Sequence, residues 1–217
     1  MNEIQLLNRA KWLAIFTIMY NIIEGLISIF YGITDETLAL FGFGVDSFVE
    51  VISGIGILHM VIRMQKSEVE VHDKFEKTAL SITGYAFYML ALGLIVGVAV
   101  NIYFNVKPET TLVGIIVSVI SILTMYVLMK AKMNVGTALN SDAIIADANC
   151  TKTCFYLSFI LLVSSLLYTI WGIQYFDLLG SLGIAYFAYS EGKESLDKVK
   201  SGNISCACSS HCETSDK

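Results

Sequence analysis

Proline is almost missing from this 217-residue chain, which has only Pro108, and charged residues make up just 15% of it. So little charge excludes an ordinary soluble domain, whose surface needs far more of it to hold a core of this size in water. One proline beside apolar runs of helix length excludes a transmembrane β-barrel, whose strands are short and alternate in polarity. There is no basic patch, and the net charge is −5, which leaves nothing to neutralise phosphates and excludes nucleic acid as a partner. The N-terminal Met1-Asn2-Glu3-Ile4-Gln5 has no apolar segment ending in a small-residue cleavage site, so the first apolar run is expected to stay as a span.

What the chain has instead is length without charge. Residues 78–106, 110–129 and 153–176 contain no Asp, Glu, Lys or Arg, and each is long enough to cross ~30 Å of hydrocarbon as a helix. The expected fold class is an all-α membrane protein with six transmembrane helices. The spans fall at about Trp12–Tyr31, Thr37–Ile62, within Thr78–Ile102, Thr111–Met129, Asp142–Ile170 and Gly172–Ser190. Arg9, Lys11, Arg63, Lys66, Lys74, Lys77, Lys130, Lys132, Lys193, Lys198, Lys200 and Lys217 then lie on one side and only Lys107 on the other, with Lys152 inside the fifth span. The positive-inside rule makes the N- and C-termini cytoplasmic. Gly93 and Gly97 form a GxxxG pattern, either a point of close helix approach or a chance pair in a Gly-rich helix. After Glu191-Gly192-Lys193-Glu194 too little chain remains to bury a second core. The expected organisation is a six-helix membrane domain over 1–195 and a disordered Cys/His-rich tail over 196–217.

Two acids interrupt the second span, Asp46 and Glu50. Spaced four apart, they project from one helical face. A carboxylate at bilayer depth costs roughly 2.5–3.5 kcal/mol on insertion scales, and a cation is the usual reason to bear that cost. The fifth span carries a polar stripe at helical period: Asp147, Cys150, Cys154, Ser158 and Ser165, with Thr151 on the same side. Such a stripe normally faces a bundle interior. Cys150 and Cys154 repeat the spacing of the acid pair, so two helices packed face to face can offer four metal ligands: Asp46, Glu50, Cys150 and Cys154. Thiolates shift preference toward Zn²⁺ and softer ions. The plainer alternative for the cysteines is small, polarizable core packing.

Other intramembrane polar groups are expected to support that set. Glu24, one turn beyond Asn21, either supports the ligands, relays protons or pairs with Lys152, the base expected to be buried unless it snorkels to the interface. Asp147 belongs to the ion's pathway or its surroundings. Asp177, at the outer start of the sixth span, either guards an exit or caps a helix N-terminus. His59 is expected at the interface rather than on the ion.

At the second and fifth spans the sequence resembles the transmembrane domain of the cation diffusion facilitator family. Asp46-Ser47-Phe48-Val49-Glu50 is similar to the family's acid pair. Ala146-Asp147-Ala148-Asn149-Cys150-Thr151-Lys152-Thr153-Cys154 is similar in spacing to its Ala-Asp and His-x-x-x-Asp ligands, with Cys at both ligand positions. Asp177 resembles the acid that opens the family's sixth span. The resemblance covers roughly residues 10–195 and is to the short members without the family's cytoplasmic metal-binding and dimerisation domain. It implies export of a divalent metal, commonly Zn²⁺, in exchange for protons, and no enzymatic activity.

Cys206, Cys208, His211 and Cys212 supply three thiols and an imidazole within seven residues, enough for an accessory cytoplasmic metal site in a capture arm; otherwise they are chance cysteines. No prosthetic group is expected. The cargo is a divalent ion, Zn²⁺ or a softer one such as Cd²⁺, Hg²⁺ or Pb²⁺. The other expected partners are protons, the lipid bilayer and a second copy paired through transmembrane helices, in the plasma membrane of a prokaryote. Two competing readings are a membrane thiol oxidoreductase using Cys150 and Cys154, and a metal sensor that binds without transporting.

Overall fold

The computed structural model describes residues 3–35, 37–65, 74–109 and 111–201. Among them are six helices and no strand: α1 (Glu3–Thr34), α2 (Leu38–Gln65), α3 (Lys74–Phe104), α4 (Leu112–Leu139), α5 (Asp142–Trp171) and α6 (Tyr175–Ser201). Five of them, all but α6, have the length and apolar composition to cross a membrane. The second half of α6 carries Glu191, Lys193, Glu194, Asp197, Lys198 and Lys200, which dilutes its apolar content.

Helix α5 matches its expected span to within one residue; the others run past theirs at one end or both, because hydropathy marks where a helix leaves hydrocarbon, whereas its hydrogen-bond ladder runs on until something stops it. In α4 the stop is Asn140, in the left-handed region at φ 48°, whose N–H reaches back to the carbonyls of Gly136 and Thr137. Gly172 (φ 64°) ends α5 in the same way, as Asn and Gly tolerate that conformation. The extension of α4 carries Lys130 and Lys132 onto the helix instead of into the loop where the sequence placed them.

Helix α2 packs against α1, α3, α5 and α6, while α4 lies against α1 and α5. One apolar cluster joins Leu40 and Phe43 of α2 to Phe87 and Leu94 of α3, Leu157 and Leu161 of α5 and Ile184 of α6. A smaller one, Ala10, Val61, Val135 and Ile144, closes the end where α1, α2, α4 and α5 meet. Outside these clusters the polarity is inverted. Trp12, Phe30, Tyr103, Leu123 and Trp171 are exposed, while Asn21, Ser28, Ser118, Ser158 and Ser181 are fully buried. Lipid is the solvent that permits apolar faces outside and requires polar groups inside, and the protein is an integral, multi-pass membrane protein.

The closest backbone approach is between α1 and α2. A Cβ on Gly44 would lie 2.7 Å from the Ile29 amide nitrogen, and one on Gly32 would lie 2.5 Å from that of Phe41. The GxxxG pair has no such role: Gly93 has nothing within 4 Å, and Gly97 faces the flexible Leu38 side chain.

Candidate metal centre

Asp46 and Glu50 of α2 open onto a cavity that Lys132 of α4, Asp147, Cys150 and Cys154 of α5 and Glu191 of α6 also line. Its volume, ≈ 40 Å³, exceeds the ~10–15 Å³ that one water requires, leaving room for an ion. Asp46 is 2% exposed, and its Oδ1 has no hydrogen-bond partner among the described residues. A buried carboxylate oxygen without a partner is costly unless something positive satisfies it.

Glu50 is held from two sides. Asn21 Nδ2 donates to its Oε2 at 2.8 Å, and the Cys154 thiol donates to its Oε1. The acid helix and the cysteine helix therefore meet through side chains the sequence paired by spacing alone. Cys154 is a free, buried thiol. Cys150 lines the same cavity. Among the described residues, no three His, Cys, Asp or Glu side chains gather closely enough to hold a metal ion; the four expected ligands share a cavity, and Glu50 and Cys154 are in contact.

The buried base is not the one expected. Lys152 is exposed, its Nζ 5.8 Å from the centre of the Tyr156 ring. Lys132 is buried instead, 2% exposed, and its Nζ donates to Asp147 Oδ1 and Thr151 Oγ1, each at 3.0 Å. A signal for it was present: Ser118, Ser121, Met125, Leu128, Lys132 and Val135 form the buried stripe of α4 at helical period. The Lys130–Lys132 pair next to an uncharged run hid it, because it reads as a cytoplasmic flank. Glu191, at the sequence boundary of the membrane domain, accepts a hydrogen bond from Thr153 Oγ1 at 3.1 Å at the cavity.

Glu24 does not pair with Lys152. It is buried at the α1–α2 contact, where it accepts from Tyr20 Oη at 2.8 Å and from Ser47 Oγ at 3.2 Å. Asp177 accepts the backbone N–H groups of Leu38 at 3.0 Å and Ala39 at 3.3 Å. It thus caps the N-terminus of α2 from α6, satisfying amides that begin a helix without intrahelical partners. Cys206, Cys208, His211 and Cys212 lie outside the described residues.

Residues 14–198 match the cation efflux transmembrane domain family. The chain is also 28% identical over 175 residues, 79% of its length, to an uncharacterized transporter of Methanocaldococcus jannaschii, and it spans 62% of that relative.

Proposed function

This chain belongs to the cation efflux family, which is not a family of enzymes, and from that premise we propose that it carries a divalent metal cation out of the cytoplasm. The observation that supports this most is the unpartnered, buried Asp46 oxygen beside the Glu50–Cys154 contact. A cation bridging α2 and α5 would satisfy it. Asp46 and Glu50 supply hard oxygens and Cys154 a soft sulfur. In the reducing cytoplasm Cys150 adds a second thiolate, giving a mixed site suited to Zn²⁺ or Cd²⁺.

The ligands must lose protons to bind the ion, so loading releases protons and protonation expels the ion. A site opened alternately to each face then exchanges metal for protons. The Lys and Arg asymmetry supports cytoplasmic termini, and the membrane we assign the chain to is the plasma membrane of a prokaryote. Metal uptake into inside-out vesicles, kept reduced and tested with Zn²⁺, Cd²⁺, Hg²⁺ and Pb²⁺, checks the reading. The wild type should move at least one of these ions, more slowly when the proton gradient is collapsed, and the Cys150→His, Cys154→Asp variant should shift preference toward Zn²⁺. A wild type that moves none of them would sink it.

A further inference from the structure

The least expected group in the cavity is a cation. We propose that Lys132 is a tethered counter-charge: its ammonium balances Asp147 and whatever other cavity carboxylates stay ionised when protons have replaced the ion, and opposes the ion when it is bound. This rests on the metal-carrier reading above. A buried ammonium is expensive unless paired, and Asp147 and Thr151 take two of its three protons at 3.0 Å each. If the pair served only to fasten α4 to α5, it could sit anywhere along that contact. Instead Lys132 and Asp147 line the same cavity as the candidate ligands.

The charges around Lys132 come from three helices: Asp46 and Glu50 from α2, Asp147 with the two cysteines from α5, and Glu191 from α6. Four acids against one base leave a surplus of negative charge that suits a divalent cation. The long, flexible lysine stem keeps a compact positive charge among them without occupying the ligand positions. Two consequences follow for a carrier. Without metal, the cavity has part of its charge compensated while it reorients through lipid, where net buried charge is costly. With metal, repulsion between two cations in a medium of lower dielectric than water weakens binding and hastens release. Lys132 then trades affinity for turnover.

The test separates this from a purely fastening role. Asp147→Asn keeps the Lys132 charge, whereas Lys132→Met combined with Asp147→Asn removes it without leaving a buried acid unpaired. Cd²⁺ and Zn²⁺ binding to purified, reduced protein and uptake by proteoliposomes are measured for both, with Lys132→Arg and Lys132→Gln in the otherwise natural chain as a charge-keeping and a charge-removing control. The double variant should bind about tenfold more tightly than Asp147→Asn, with a lower KM and a several-fold lower maximal rate. Lys132→Gln should shift in the same direction, and Lys132→Arg, which keeps the charge on a bulkier head group, should shift less than Lys132→Gln. Equal affinity and rate in the double variant and Asp147→Asn, with a difference only in thermal stability, would overturn the proposal. If the wild type bound no metal, the carrier reading itself would fall, and this inference with it.

Discussion

Glu50 shows how much of the site is settled by single hydrogen bonds. Its carboxylate receives Asn21 on one oxygen and Cys154 on the other, so its orientation is fixed by α1 and α5 rather than by its own helix. Partners of this kind typically matter 10–100-fold for metal affinity. Asn21→Leu, close in volume and without the amide, is expected to weaken Zn²⁺ or Cd²⁺ binding about tenfold while the helical circular dichroism spectrum is unchanged; unchanged affinity would mean that Asn21 does not orient the ligand. At this scale the acids and cysteines were legible because polar residues at bilayer depth stand out from their surroundings. Lys132 was not, because a lysine near a helix end has an unremarkable place at the interface, and only the buried stripe of α4 shows it pointing inward. Cys150 was legible as a cavity residue from the helical period it shares with Cys154.

At the scale of elements, Asp177 illustrates a contact that no local pattern contains. The sequence allowed a gate or a cap, and the fold makes it a cap on another helix, 139 residues away in the chain. Replacing it with Ala should cost about 1 kcal/mol, the usual magnitude for a lost N-cap, seen as a lower melting temperature in detergent. Transport per folded molecule should stay close to wild type, whereas a gating acid would change the rate and leave stability alone. The helices themselves were readable from uncharged runs of membrane length. The end of α5 was readable to within one residue, but that of α4 was not, because Asn140 acts through backbone conformation rather than hydropathy. Within the chain the close approach is made by Gly32 and Gly44 on the α1–α2 face rather than by the GxxxG pair.

For the whole molecule, the architecture places α2 where it touches four other helices, so the acid pair sits where movement of the bundle would be felt. The inverted polarity, apolar faces outward and hydroxyls and acids inward, puts the groups able to meet a cation inside the bundle. The central claim is that this interior carries a divalent cation through Asp46, and it is tested most directly with purified, reduced protein in proteoliposomes. Cd²⁺ or Zn²⁺ flux is compared for the wild type and Asp46→Asn, a variant that keeps the shape and removes the charge. Saturable flux in the wild type and its loss in Asp46→Asn is the predicted result; the same flux in both would contradict it.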